Sequence, residues 1–207
     1  ILMGGIIAGN YKNGATNYHI TVSDCSNSGN ITLQGNYFAS GSSRYQLGGI
    51  IGDGYAYGAY TRCYNSGTIT LDTGNQTLPT VEVAGLMARH YPHKDQTYKY
   101  GTYTDCVNQG KVVVKNINVN SSLYVAGILG NDSHQTNKVA TYTNCANSGE
   151  IYIEKATVST GKAFYVGGLT GRSNCSSLTY TGNNVNIGNI ILKDCKSDNA
   201  TTSVGGI

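Results

Sequence analysis

The sequence predicts an all-β protein, a parallel β-helix (β-solenoid) of about five coils with roughly 40 residues in each coil. Three observations predict this fold. A motif of small and apolar residues returns at a nearly constant interval, and a second motif built on cysteine, asparagine and glycine alternates with it. Residues that follow the second motif alternate between aliphatic and other side chains. Repeats at such an interval are typical of solenoids, propellers and arrays.

The glycine motif consists of two small residues followed by one or two apolar residues. Its copies lie at 4–7, 48–51, 84–87, 126–129, 167–170 and 205–207. All but the first follow an aliphatic residue at the same offset, namely Leu47, Val83, Val125, Val166 and Val204. This pattern predicts a strand that leads into each copy.

The second motif, Cys-x-Asn-x-Gly, lies between successive copies of the first. It occurs at 25–29, 63–67, 106–110 and 145–149, and in a degenerate form at 184–188, where Asn184 replaces the cysteine. We expect its glycines to mark a corner that needs a positive φ or a close backbone approach. Its asparagines would form an internal column, because each amide can bond to its equivalent above and below. The column would contain Asn27, Asn65, Asn108, Asn147 and Asn186.

A strand is predicted after each corner glycine, where the second and fourth residues are always aliphatic. These pairs are Ile31/Leu33, Ile69/Leu71, Val112/Val114, Ile151/Ile153 and Ile190/Leu192. A period of two indicates a strand with one buried face. A single coil cannot bury that face, whereas stacked coils share a continuous core. We therefore expect residues 1–207 to form one domain.

The paired motifs resemble the GLUG-motif repeat family, which occurs in large secreted and surface proteins of bacteria and in non-catalytic regions of immunoglobulin A peptidases. The resemblance covers essentially the whole chain. It implies a right-handed parallel β-helix in an extracellular or cell-surface protein, and it implies no reaction. The chain departs from the pattern at Thr170, in the second apolar position, and at Ala8 and Ala88, in place of the last glycine. These departures leave the expected fold unchanged.

Composition limits the partners of the chain. Charged residues make up 12% of the sequence, about half the usual share of roughly 25% in soluble domains. The net charge of +3 comes without a basic run, which argues against nucleic-acid binding. No apolar stretch reaches the ~18 residues of a membrane span, so we expect no direct membrane insertion. Neither end carries a polar capping unit, and we expect further repeats of the same chain beyond Ile1 and Ile207.

Four of the six cysteines share one repeat position. We expect Cys25, Cys63, Cys106 and Cys145 to be small buried side chains in a column. Disulfides between neighbouring coils are the alternative, because the stacking distance lies within disulfide range. Metal binding is disfavoured, since the cysteines lack the paired spacing of zinc sites. Outside this register, Cys175 and Cys195 could pair with each other.

The loop after each glycine motif is the candidate binding region, since it varies in length while the core does not. Insertions on one face of a solenoid often mark its binding face, and tyrosine offers a flat contact area with a polar tip. The candidate residues are Tyr11, Asp53, Tyr55, Tyr57, Arg89, His90, Tyr91, His93, Tyr98, Asp132, His134 and Arg172. We expect His90 and His93 to be exposed polar residues rather than metal ligands, and no calcium-loop pattern surrounds the two aspartates. Surface loops without a ligand are the alternative.

No catalytic motif accompanies the repeats. The sequence lacks HExxH, a P-loop, GxSxG and CxxC, so we expect no cofactor, no metal and no enzymatic activity. Our hypothesis is a non-enzymatic stalk or adhesin-like module, extracellular or on a bacterial surface, whose tyrosine-rich loops contact glycans or host and matrix proteins. One alternative is a polysaccharide-processing lyase or glycosidase, which needs acidic residues clustered across adjacent coils. Another is a segment that assembles into fibres.

Overall fold

The computed structural model describes residues 1–10, 19–35, 44–54, 57–91, 100–133, 138–197 and 201–206. Within these ranges the chain forms five parallel sheets, which we name A to E in the order in which the chain visits them. Sheet A has six strands, and strands from successive coils are neighbours in every sheet. The fold is therefore a parallel β-solenoid, with a repeat of about 39 residues and about four turns. The predicted fold class is confirmed.

The strands have the following bounds. Sheet A contains Leu2–Gly4, Arg44–Gly48, Thr80–Ala84, Ser122–Ala126, Ala163–Gly167 and Thr201–Gly205. Sheet B contains Ile7–Asn10, Ile51–Gly54, Met87–His90, Leu129–Asp132 and Thr170–Ser173. Sheet C contains His19–Ser23, Tyr57–Thr61, Tyr100–Thr104, Val139–Thr143 and Ser177–Thr181.

The two remaining sheets follow the Cys-x-Asn-x-Gly corner. Sheet D contains the short strands Ser26–Asn27, Tyr64–Asn65, Val107–Asn108, Ala146–Asn147 and Val185–Asn186. Sheet E contains Ile31–Gln34, Ile69–Leu78, Val112–Val119, Ile151–Val158 and Ile190–Lys193, and Lys196–Ser197 pairs with the end of Ile151–Val158.

The first hydrophobic core lies between sheets A and E. The alternating aliphatic residues of both sheets meet there as predicted, and in the middle coils Val83, Val114 and Ile153 are fully buried. Val204, on the outermost strand of sheet A, is half exposed instead. The period-two pattern therefore identifies this core correctly for the inner coils.

A second core lies between sheets B and C and was not predicted from the sequence. Aliphatic residues of the glycine motif, such as Ile50 and Ile128, pack there against the cysteines and against a column of tyrosines. Tyr103 stacks on Tyr60 with ring centroids 5.1 Å apart and on Tyr142 at 4.7 Å. We call this the tyrosine core. Sheets A and B thus lie between the two cores, with sheet B packed on the face of sheet A that points away from sheet E.

The asparagine column is an unbroken hydrogen-bonded ladder. Each Nδ2 donates to Oδ1 of the asparagine in the next coil at 2.7–2.8 Å, from Asn27 to Asn186. The same Nδ2 also donates to the carbonyl of its own corner glycine at 2.8–3.0 Å. The predicted ladder is confirmed, and it satisfies amides that are fully buried in the middle coils.

The glycine motif and the asparagine ladder contact each other. A Cβ added at Gly85 would lie 2.1 Å from Cγ of Asn108, and one added at Gly127 would lie 2.3 Å from Cγ of Asn147. The second small residue of the glycine motif is therefore glycine because the ladder occupies the space of its side chain. The two sequence motifs form one structural unit.

The corner glycines are required by close approach and not by φ. A Cβ at Gly67, Gly110 or Gly149 would lie 2.0 Å from the carbonyl oxygen of the corner glycine in the preceding coil. None of these glycines has a positive φ. The left-handed residues instead precede the cysteines, with φ values of 49–56° at Asp24, Arg62, Asp105 and Asn144.

All six cysteines are free thiols. Cys63, Cys106 and Cys145 are buried in the tyrosine core, where each Sγ donates to a backbone carbonyl of the preceding coil at 3.3–3.5 Å. The predicted buried column is confirmed for these three residues, whereas Cys25, in the first coil, is only partly buried. Cys175 packs against the tyrosine core and Cys195 against the core between sheets A and E, so the suggested pairing of these two residues is wrong.

Candidate functional site

The predicted binding residues that the structure describes do not form one exposed edge. Tyr11, Tyr55, His93, Tyr98 and His134 lie outside the described residues, and binding by them stays a prediction. The others lie on sheet B, directly after it, or at the start of sheet C: Asp53, Arg89, His90, Tyr91, Asp132, Arg172 and Tyr57.

His90 and Asp132 are fully buried, so the expectation that they lie in exposed loops is wrong. They are register partners on adjacent strands of sheet B and face the tyrosine core. Arg89 is 7% exposed, and the side chain of Asp53 is 15% exposed. The physical reason is that sheet B continues for several residues past the glycine motif and is covered on both faces.

A polar layer fills the space between sheet A and sheet B, and Glu82 is at its centre. The Glu82 carboxylate accepts hydrogen bonds from Gln46 Nε2 at 2.6 Å, Asn131 Nδ2 at 2.6 Å and Arg44 Nη1 at 3.1 Å. Arg89 Nε lies 4.0 Å from the same carboxylate. Burial raises the pKa of Glu82, although the charges of Arg89 and Arg44 act in the opposite direction. These contacts explain how a fully buried carboxylate is accommodated.

The arginines of sheet B are held within the same layer. Arg89 Nη1 lies 3.6 Å from Asp53 Oδ2, and its guanidinium lies 4.1 Å from the centroid of the Tyr91 ring. Arg172 Nη1 donates to Tyr124 Oη at 3.4 Å. Burial also raises the pKa of Asp53, against the charge of Arg89. Arg89 and Arg172 are therefore engaged in contacts with sheet A, and Asp53 is engaged with Arg89.

A second buried polar group lies on the other face of sheet B. Lys138 and Asp132 form an ion pair in which both side chains have no exposed surface. Nδ1 of His90 lies 3.2 Å from Lys138 Nζ, 3.6 Å from Asp132 Oδ1 and 2.9 Å from Tyr103 Oη. Ser173 Oγ donates to Asp132 Oδ2 at 3.2 Å. Sequence analysis missed this group, because Lys138 directly precedes the strand Val139–Thr143, which itself holds no charged residue.

The accessible candidate site is a row of aromatic side chains on the outer face of sheet C. His19, Tyr57 and Tyr100 begin three adjacent strands and follow one another along the solenoid axis, with neighbouring rings tilted by 49° and 57°. Their ring centroids are 5.1 Å apart for His19 and Tyr57 and 5.0 Å apart for Tyr57 and Tyr100. His19 is exposed, and both tyrosines are half-buried. We call these three residues the aromatic row.

Hydroxyl side chains continue the same face beyond the aromatic row. Because side chains of a strand alternate between its faces, every second residue of sheet C points away from the tyrosine core. In three successive strands these positions hold Thr102 and Thr104, Thr141 and Thr143, and Thr179 and Thr181. All six are at least partly exposed. The face is thus a regular array of hydroxyl and methyl groups next to flat aromatic rings.

Of the aromatic row, sequence analysis identified only Tyr57. The signal for the others is a fixed offset, because His19, Tyr57 and Tyr100 each stand six residues before the cysteine of the corner motif. This position is occupied by Val139 in the next coil and is exposed there as well. The row was missed because it belongs to a strand and not to the variable loop.

No group of three or more histidine, cysteine, aspartate or glutamate side chains in the described ranges is placed to hold a metal ion. In the same part of the chain, no helix has the length and apolar character needed to cross a membrane.

Comparison with known proteins returns no relative for this chain. No protein-family model, no curated protein and no solved structure matches it.

Proposed function

We propose that the chain is a non-enzymatic segment of an extracellular or bacterial cell-surface protein and that it binds glycans through sheet C. The aromatic row of His19, Tyr57 and Tyr100 is the observation that carries this proposal. Flat aromatic rings with polar edges suit the apolar faces and hydroxyl groups of sugar rings. The neighbouring threonines supply further donors and acceptors.

The solenoid supports a presenting role. Its buried ladders hold successive strands in register, so the aromatic and hydroxyl groups are fixed on a rigid surface before a ligand binds. Preorganisation of this kind lowers the entropic cost of binding. The low fraction of charged residues, 12%, favours a neutral polar ligand over a polyanion.

The polysaccharide-processing alternative has less support. A lyase or glycosidase needs carboxyl groups or bases that reach a substrate. In the described residues, the carboxyl groups with raised pKa values belong to Glu82 and Asp53, and both are enclosed between sheets A and B. The pair Asp132 and His90 is fully buried.

Membership of the GLUG-motif repeat family is part of this proposal. Its support is the pairing of the glycine motif with the Cys-x-Asn-x-Gly corner, which recurs through the chain. This assignment agrees with a non-catalytic region of a secreted or surface protein.

A glycan array probed with the purified chain tests the function. We expect binding to a subset of oligosaccharides, and we expect Tyr57→Ala and Tyr100→Ala each to weaken it about tenfold or more, as is typical of a central aromatic contact. Tyr152→Ala is the matched control, because Tyr152 lies on the outer face of sheet E beside Lys111 and Lys115. Absence of binding, or equal losses in all three variants, would refute glycan binding by sheet C.

End-to-end assembly is a second candidate, favoured by the outermost strands. Val204 is 51% exposed, whereas Val166 in the same column is 2% exposed, and Leu178 is 42% exposed where Ala140 is fully buried. Another coil or a second copy of the chain would cover these side chains. Light scattering across a concentration series tests this, and a monomer at every concentration would contradict it.

A further inference from the structure

Lys138 and Asp132 form a fully enclosed pair of reactive groups. Both side chains have no exposed surface, and Lys138 Nζ is in direct contact with Asp132 Oδ1. An exposed pair of this kind would be an ordinary salt bridge. A fully desolvated pair is different, because removing two charges from water has a large unfavourable free energy that their mutual attraction must offset.

Proton transfer within the pair removes that cost. The ammonium of Lys138 and the carboxylate of Asp132 become a neutral amine and a neutral carboxylic acid when one proton moves between them. Burial lowers the pKa of Lys138 to about 7, with the charge of Arg89 in the same direction and that of Cys175 in the opposite direction. A neutral amine is the nucleophilic form of lysine. The pair is therefore a nucleophile in contact with a carboxyl group, in a site without solvent.

We propose that Lys138 and Asp132 join in an intramolecular amide bond. Nζ of Lys138 bonds to Cγ of Asp132, the bond from Cγ to Oδ1 breaks, and one molecule of water leaves. No oxidant, reductant or other reactant is needed. The product replaces a buried ion pair with a neutral amide.

His90 is placed to move the protons of this reaction. Its Nδ1 lies 3.2 Å from Lys138 Nζ and 3.6 Å from Asp132 Oδ1. It can accept a proton from the attacking nitrogen and deliver it to the oxygen that leaves, and it ends the reaction in its starting form. Tyr103 Oη, 2.9 Å from the same nitrogen, orients the ring.

Ser173 holds the carboxyl group for attack. Its hydroxyl donates to Asp132 Oδ2 at 3.2 Å, and Oδ2 is the oxygen that stays as the amide carbonyl. A donor on this atom stabilises the negative charge that develops there when Nζ attacks. Residues of three strands of sheet B thus surround the reacting atoms, together with Tyr103 of sheet C and Cys175 as the other titratable neighbours.

Intact mass spectrometry of the denatured wild-type chain tests the proposal without any variant. We expect a mass lower than the sequence mass by one water molecule. Tryptic digestion should then give a peptide covering 116–155, also lighter by one water, because trypsin does not cleave after an acylated Lys138. Normal cleavage after Lys115 and Lys155 is the internal control. The full sequence mass, or a deficit in any other peptide, would overturn the proposal.

Three variants refine the test. Lys138→Ala and Asp132→Ala should each have the full mass expected from their sequences, and a retained deficit in either would contradict the assignment of the bond. His90→Phe keeps a ring of similar size without the nitrogen, and we expect a smaller cross-linked fraction after refolding. Complete cross-linking in this variant would overturn the role of His90. The inference does not depend on glycan binding.

Discussion

Asn65 donates from Nδ2 to Oδ1 of Asn108 at 2.8 Å, although the two residues are 43 positions apart in the chain. Asn108 repeats the contact with Asn147 at 2.7 Å. One amide per coil therefore couples each coil to the next, and it also fixes the corner by bonding to the corner glycine carbonyl. The ladder is the element that sets the register of the solenoid.

Asn108→Ala should destabilise the chain by about 2–4 kcal/mol, since it removes two donated bonds and leaves Asn65 with a buried donor that has lost its acceptor. Asn27→Ala, at the partly exposed first position of the ladder, should cost only about 1 kcal/mol. Urea unfolding followed by circular dichroism measures both. An equal or smaller loss for Asn108→Ala would contradict the ladder's role.

Gly110→Ala should destabilise the chain by about 1–3 kcal/mol or more, because the new Cβ would lie 2.0 Å from the carbonyl oxygen of Gly67. Gly29→Ala is the matched control. It stands at the same motif position, but the nearest atom to its new Cβ is 3.6 Å away, so we expect a change within about 0.5 kcal/mol. Thermal unfolding of the two variants distinguishes close approach from a general need for glycine.

Glu82→Gln should change how stability depends on pH. Burial raises the pKa of Glu82 in the folded chain, so the folded state binds its proton more tightly than the unfolded state does. Its contribution to stability is therefore fully present below the unfolded pKa and is lost as pH rises through the folded pKa. The free energy of unfolding of wild type relative to Glu82→Gln should fall with rising pH in that window, by at most about 1.4 kcal/mol per pH unit.

The control for this experiment is Glu154→Gln. A hydrogen bond from Lys193 lowers the pKa of the partly exposed Glu154, so its contribution has the opposite sign and is lost as pH falls through the folded pKa. Denaturant titrations from pH 3 to pH 8 measure both differences in the free energy of unfolding. The difference between wild type and Glu82→Gln should fall with rising pH, and the difference between wild type and Glu154→Gln should rise, both roughly within the usual range of carboxyl pKa values. If the free energy of unfolding of wild type relative to Glu82→Gln rose with pH, the assigned direction of the Glu82 pKa shift would be wrong.

Tyr60→Phe should stabilise the chain by about 1 kcal/mol, because Tyr60 Oη is buried and has no hydrogen-bond partner among the described residues. Tyr103→Phe should destabilise it by about 1–2 kcal/mol, since Tyr103 Oη is bonded to His90 Nδ1. The tyrosines stack on each other with nearly parallel rings, so the two substitutions are closely matched. Equal effects would show that the hydroxyl contacts do not matter.

The sequence was sufficient to predict the core between sheets A and E and the asparagine ladder. Alternation around Ile69 and Leu71 identified the core between sheets A and E, and the spacing of the asparagines identified the ladder. The core and the ladder both follow from stacking equivalent residues of successive coils. They can therefore be predicted without knowing which sheets pack together.

The parts that were missed depend on packing between sheets. Alternation cannot reveal that sheet B covers the outer face of sheet A, so the buried Glu82 and Arg89 were not recognised as partners. For the same reason, sequence analysis placed His90 and Asp132 in surface loops, although both are buried and face the tyrosine core. At the corner, close backbone approach explains Gly110, and the positive φ belongs to Asp105.

The most direct test of the proposed function is an NMR titration of the labelled chain with the strongest oligosaccharide found on the array. We predict chemical-shift changes concentrated in the amides of Tyr57–Thr61 and Tyr100–Thr104, on both sides of the aromatic row. Those changes should disappear in the Tyr57→Ala variant. Changes confined to sheet E or to segments outside sheet C would contradict the account.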